Sequence, residues 1–251
     1  MRPLRVGVLG ARGKTGREVC RALSKAPDLE LVATVNSDDD LADLLCAQAN
    51  AVVDFTHPDV VMDSLQFCIA HGIHAVVGTT GFDDQRLARL KSWLEASPST
   101  GVLVAPNFSV GALLMIRFAQ AAARFYESVE VVELHHPDKV DAPAGTARHV
   151  AQLLERARAE AGLGAVPDET TSVLAGARGA DIDGIRVHSL RVRGLVGHEE
   201  VILGGDGETL RIRHDSLARA SFAPGVLTGL RTIGSRPGLT VGLEHFLEMT
   251  W

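Results

Sequence analysis

The stretch Arg5-Val-Gly-Val-Leu-Gly10-Ala-Arg-Gly-Lys-Thr-Gly16 decides the fold. Residues of strand character run without a spacer into glycines at 10, 13 and 16, and a helical pattern follows to about Ser24. Glycine permits a tight turn and a close backbone approach. The first turn of a helix offers N–H groups that the helix itself leaves unpaired, so this unit can cradle a pyrophosphate. The spacing is G-x-x-G-x-x-G rather than the commoner G-x-G-x-x-G, so the strand-turn-helix placement carries the argument.

Outward from this point the same rhythm repeats. Leu29-Glu-Leu-Val-Ala33, Ala51-Val-Val-Asp-Phe55, Ile73-His-Ala-Val-Val77 and Gly101-Val-Leu-Val-Ala105 read as strands, with helical patterns over 58–70 and 85–94. Parallel strands need crossover connections, so the repeat predicts a doubly wound parallel sheet with helices on both faces. After Asn107 the grammar changes. Helices are predicted over 110–125 and 146–161, a strand over 129–134, and strands over 185–193, 199–203 and 208–214, separated by glycine turns. The run 162–184 reads as a long Gly/Ala/Asp-rich loop, and 224–233 returns to helix with the last segment packing back on the first domain. The fold class is α/β: an N-terminal, doubly wound, Rossmann-like dinucleotide-binding domain over 1–109, completed by 220–251, and a central α+β domain with a mixed open sheet over 110–219.

Composition narrows the function classes. The chain has 251 residues, with 25 Lys and Arg against 31 Asp and Glu, a net charge of −6. It is 46% hydrophobic and 4% aromatic, ordinary for a globular protein long enough for one or two cores. A negative balance without a basic run argues against nucleic acid as partner. No stretch reaches the ~18 apolar residues of a membrane span, and 1–5 lead directly into a strand without a leader core, so a cytoplasmic protein is expected. Cys20, Cys46 and Cys68 lack paired spacing and are expected as buried thiols.

Two groups of residues carry chemistry. At the end of the second strand, where an acid usually grips the adenosine ribose, stands Asn36. Asn36 brings no charge to repel a 2′-phosphate, Arg12 and Lys14 would attract one, and Asp38, Asp39 or Asp40 could reach the ribose instead, so the choice between NADH and NADPH stays open. The second group is Glu133-Leu-His-His-Pro-Asp-Lys-Val-Asp-Ala-Pro-Ala-Gly-Thr-Ala147. It places His135, His136 and Lys139 between a strand and the start of a helix, where an anion can be bound and protonated. Adjacent histidines point apart and no well-spaced third ligand joins them, so no metal is expected.

This segment closely resembles the signature of the 4-hydroxy-tetrahydrodipicolinate reductase (dihydrodipicolinate reductase) family, E-x-H-H-x-x-K-x-D-A-P-S-G-T-A, and the likeness extends over nearly the whole chain in its compact, actinobacterial form. Asp54-Phe-Thr56, Gly78-Thr-Thr-Gly-Phe82, Ala105-Pro-Asn-Phe108, Arg178-Gly179, His188, Arg191, Gly197-His198, Gly207-Glu208, His214 and Phe222 fall in the family's order. The resemblance implies an enzyme of lysine and diaminopimelate synthesis that uses NADH or NADPH and assembles as a homotetramer through its central sheets. It implies His135 as general acid and Lys139 as its partner, with His136, Gly145 and Thr146 on the substrate's carboxylates. It implies a cofactor along Gly10, Ala11, Arg12, Gly13, Lys14 and Thr15, then Gly78, Thr79 and Thr80, then Ala105, Pro106, Asn107 and Phe108. Two positions depart: Ala144 replaces the family's serine, and Asn36 stands where related sequences often carry an acid.

A reductase of another small carboxylated imine, or a non-catalytic dinucleotide sensor on the same fold, are the alternatives; His135, His136 and Lys139 together argue against the sensor. Leu113, Leu114, Met115, Ile116 and Phe118 read as core. Arg186, Arg191, Arg193, Arg211 and Arg213 read as a solvated or subunit-facing side, and His71 and His74 as structural.

Overall fold

The computed structural model describes residues 2–247, which divide into two compact units: one of residues up to Val110 together with those from Arg219 onward, the other Gly111–Ala218. The elements run β1 (Leu4–Leu9), α1 (Lys14–Leu23), β2 (Leu29–Val35), α2 (Ala42–Cys46), β3 (Ala51–Asp54), α3 (Val61–Ala70), β4 (His74–Val77), α4 (Asp84–Glu95) and β5 (Gly101–Val104). Then come α5 (Val110–Ala123), β6 (Ser128–His135), α6 (Gly145–Glu160), β7 (Ala180–Ile182), β8 (Ile185–Arg191), β9 (Gly197–Gly205) and β10 (Glu208–Ser216), followed by α7 (Ala223–Ile233) and β11 (Gly238–Val241).

In the first unit six parallel strands take the order β11-β5-β4-β3-β1-β2. β3, β4 and β5 are buried almost throughout because helices cover both faces, which explains their unbroken apolar runs. α3 and α4 pack together, while α7 lies on β3, β4 and β5 beside α1. Strand order reverses between β1 and β3. Crevices for ligands open at the carboxyl ends of strands flanking such a reversal, and here those ends are Gly10 and Phe55.

The second unit is a mixed sheet ordered β10-β9-β6-β8-β7, in which only β6 and β8 are parallel. β6 alternates: Val129, Val131 and Glu133 are buried on one face. Apolar residues of α5 and α6, such as Met115, Ala119, Val150 and Leu154, join Val129, Val131, Val187 and Val201 in a single core. Glu133 thus ends a row of valines, fully buried.

Several expectations need correction. The helix predicted to Phe125 ends at Ala123, leaving Phe125 exposed, and Phe118 is 41% exposed rather than core, since it lies on the face of α5 turned from the sheet. Cys46, at the end of α2, is exposed; only Cys68 is buried, and Cys20 is half-buried. The expected loop 162–184 contains β7, three residues held by pairing with β8. Neither α2 nor β11 shows in the sequence pattern, because each is shorter than the window that reveals a period. Among the described residues no helix is long and apolar enough to cross a membrane.

Candidate active site

In the first unit Gly10 leaves β1 at φ +75°, and a Cβ there would lie 2.5 Å from the Phe55 carbonyl oxygen; at Gly16 it would lie 2.2 Å from the Gly10 carbonyl oxygen. These two glycines let β1, the turn and α1 close on one another. α1 begins after Gly13 with no side-chain cap and no acid in its first turn, so its N-terminal dipole and amides face the turn uncompensated. A pocket of about 370 Å³ opens there, lined by Gly13, Lys14, Thr15, Thr56, Thr79 and Arg219 among others. An uncapped helix end with Lys14 and Arg219 beside it fits a dinucleotide's phosphates.

Asn36, just past the end of β2, is tied down by local bonding. Its Oδ1 accepts the Arg12 backbone N–H at 2.9 Å, and its Nδ2 donates to Asp39 at 3.0 Å. Arg12 places one guanidinium nitrogen 2.8 Å from both oxygens of Asp38. That partner raises the Arg12 pKa and lowers that of Asp38. Asp40 accepts the Ala42 amide at 2.9 Å. Behind Thr79, whose hydroxyl donates to Asp54 at 2.7 Å, the buried Asp54 also accepts from the Thr56 amide and hydroxyl. Burial pushes its pKa up against those three bonds. Ala105 and Phe108 are buried, the first donating its amide to Val77 and the second meeting the Phe55 ring in a tilted contact, centroids 5.7 Å apart and planes at 60°, whereas Pro106 is exposed. Asn107 accepts the Ser109 amide at 2.8 Å.

In the second unit the cluster is assembled around Glu133. Its Oε2 lies 2.5 Å from His135 Nδ1, and both its oxygens receive the Arg191 guanidinium, at 2.7 and 2.9 Å. The Ala144 amide adds a bond at 3.2 Å. Burial alone would raise the Glu133 pKa, but the bonds from Arg191, Ser189, His135 and Ala144 outweigh it and bring it to about 2. An ionised carboxylate on Nδ1 orients the imidazole and leaves Nε2 on the side of the ring turned away from Glu133. Gly197 lies beside Nε2, where even an added Cβ would remain 3.5 Å away. Lys139 Nζ bonds to Asp141, and the other oxygen of Asp141 accepts the Gly145 amide at 3.2 Å. That pairing with Lys139 is the chief reason the Asp141 pKa is lowered. Asp141 therefore bridges a cation and a helix-start amide, two donors of the kind an external carboxylate would use. His136 Nδ1 has no hydrogen-bond partner among the described residues and lies 3.9 Å from Asp138. Thr146 is exposed in the first turn of α6.

The structure thus collects Gly13, Lys14, Thr15, Gly78, Thr79 and Thr80 about one pocket, and His135, Lys139 and Gly145 about Glu133 and Asp141. Arg191 is a correction: it is no surface arginine but the fork that holds Glu133, and it also donates to the Asp141 carbonyl at 2.7 Å. Alternation along β8 carried the signal, since Arg191 shares the inward face with Ile185 and Val187. Arg219 was also missed, as nothing near it in sequence marks a phosphate site. His74 is structural, accepting the Gly101 amide at 2.9 Å. Among the described residues no cluster of three or more His, Cys, Asp or Glu is placed to hold a metal.

A doubly wound nucleotide unit joined in one chain to a unit bearing an oriented imidazole and a lysine defines a pyridine-nucleotide-dependent oxidoreductase. The chain belongs to the dihydrodipicolinate reductase family: residues 4–108 match the family's N-terminal part and residues 111–247 its C-terminal part. It is 62% identical over 246 residues to a 4-hydroxy-tetrahydrodipicolinate reductase of Nocardia farcinica, covering 98% of this chain and 99% of the relative. A protein of the same name from Streptomyces griseus is 61% identical over 249 residues, covering 99% and 100%. Among solved structures, a dipicolinate-bound dihydrodipicolinate reductase from Paenisporosarcina sp. TG-14 superposes with a TM-score of 0.87 at 33% identity, covering 98% of this chain and 100% of that one. The family uses NADH or NADPH, and the first unit is its dinucleotide-binding part.

Proposed function

We propose that this chain reduces 4-hydroxy-2,3,4,5-tetrahydrodipicolinate to 2,3,4,5-tetrahydrodipicolinate in lysine and diaminopimelate synthesis, with His135 as proton donor. The observation that carries the role of His135 is its 2.5 Å contact with a buried, ionised Glu133. When bound, the nicotinamide would supply the hydride, and the 4-hydroxyl group leaves the ring as water as hydride and proton are taken up. His135, held through Nδ1, delivers a proton from Nε2 to the carbon that gains electron density once the ring is reduced. Lys139 supplies fixed positive charge to a substrate carboxylate and stabilises the charge that develops during proton transfer. Gly145 and Thr146 offer amides of the α6 N-terminus to the carboxylates, and His136 joins them in binding the substrate, as the family resemblance implies. In the first unit Gly10 to Thr15, Asn36, Gly78 to Thr80 and Ala105 to Phe108 hold the cofactor. The reading includes a cytoplasmic homotetramer, for which the family resemblance is the support.

Purified protein should oxidise NADH or NADPH only when the product of the upstream synthase is supplied. His135→Gln should lower kcat by about 10²–10⁴-fold, as general acid loss does, with dinucleotide affinity unchanged. Near-normal turnover in that variant would remove His135 from the mechanism. Substrate-independent oxidation would overturn the substrate assignment.

A further inference from the structure

Glu199 has no part in the scheme above, yet it is buried at 8% exposure and its Oε1 has no hydrogen-bond partner among the described residues. The β6–β9 register sets it directly opposite Glu133, and the β9–β10 register sets His214 on its other side. Opposed residues share one face of a sheet. A row Ser189, Glu133, Glu199, His214 therefore crosses the sheet next to the row Arg191, His135, Gly197, Ser216. The titratable groups facing Glu199 are Glu133 and His135 from β6 and His214 from β10, with Arg191 of β8 beyond Glu133. α5 and α6 bring Met115, Ala119, Ala147 and Val150 to this core. Arg191 is committed to Glu133 through both of its terminal nitrogens.

Two opposed carboxylates in such surroundings cannot both carry charge without strong repulsion, and Glu133 is the one with the guanidinium. We infer that Glu199 is a positioning residue that works as the neutral acid: by leaving Glu133 the single negative charge of the row, it keeps the Arg191 fork and the His135 ring in place for proton delivery. The inference rests on His135 being the proton donor. Burial, reinforced by the Glu133 charge, pushes the Glu199 pKa up to about 8. Above that pH a second carboxylate forms directly against Glu133 and repels it, loosening the Glu133 contacts that hold His135, so turnover falls. The folded chain also keeps on Glu199 a proton that the unfolded chain releases near the ordinary glutamate value. Its contribution to stability is therefore full below that value and is lost as pH rises toward about 8.

The test compares wild type, Glu199→Gln and Glu199→Ala from about pH 6 to about pH 10, in kcat, in unfolding midpoint and in the infrared band of a neutral carboxyl. Wild type should lose kcat by about tenfold per pH unit once Glu199 ionises. Glu199→Ala also leaves Glu133 the single charge of the row but removes the buried side chain packed against it, so it should lower kcat at neutral pH without the Glu199 alkaline limb. Glu199→Gln, isosteric and uncharged, should restore kcat to within about threefold, leave only the alkaline limb that the proton donor itself produces, remove the fall in stability and lack the infrared band. A glutamine variant that keeps the wild-type alkaline limb, or a wild-type spectrum at neutral pH without the band, overturns the inference. Failure of the proton-donor reading shows separately, as normal turnover in His135→Gln, whereas the band and the stability slope report Glu199 itself.

Discussion

Asp38 holds Arg12 at 2.8 Å by both oxygens, which changes what Arg12 can do for a cofactor. A 2′-phosphate must compete with an internal carboxylate for that guanidinium, while an unphosphorylated ribose need not. Both side chains are mostly exposed, so the competition is screened and modest. Asp38→Asn keeps the shape and removes the charge, and it should improve NADPH affinity relative to NADH by about two- to fivefold in titrations of both cofactors. An unchanged ratio would mean that Arg12 does not face the ribose. Asn36 is a poorer place to shift the preference: its Nδ2 donates to Asp39, and an aspartate there would set one carboxylate against another.

α6 begins at Gly145 with Ala144 as its N-cap, in extended geometry (φ −57°, ψ 147°) and with no side-chain cap bond. The family's serine would place a hydroxyl over the first amides of the helix, the ordinary capping interaction. Asp141 partly substitutes by accepting the Gly145 amide from outside the helix. Ala144→Ser should therefore stabilise the protein by about 0.5–2 kcal/mol, read as a raised unfolding midpoint. The same hydroxyl would also donate to a substrate carboxylate, so calorimetry should show tighter binding of pyridine-2,6-dicarboxylate. No gain in stability would mean that Asp141 already completes the cap. A gain in stability alone would confine the hydroxyl to capping and leave the amides to bind the substrate.

Taken whole, the chain builds its first unit from both ends. β11 adds a parallel strand beside β5, Gly225 at the start of α7 packs against the Phe108 carbonyl, and Arg219 lines the pocket at the start of α1. Leu230, 1% exposed on α7, sits in the helix that covers β3, β4 and β5. Leu230→Ala should cost about 2–5 kcal/mol in denaturant unfolding, as buried leucine truncations do, and added dinucleotide should recover part of the loss. A cost below about 1 kcal/mol would show that α7 is dispensable to the first unit.

The βα alternation, the glycine turn after β1 and the grouping of His135, His136 and Lys139 at the end of a strand were all legible in the sequence. Each is a local property: a period of two or of 3.6, a residue able to take positive φ, or neighbours along one loop. The Arg191–Glu133 fork joins residues 58 apart, and Glu133 meets Glu199 only through strand register. Register depends on which strands pair and how far they slide, and a slip of one residue turns every side chain to the opposite face. Periodicity names the face of each strand but not its partner. The ionised and neutral states of two identical carboxyls were therefore decided by tertiary structure alone, through the guanidinium that reached one of them and the burial that enclosed the other.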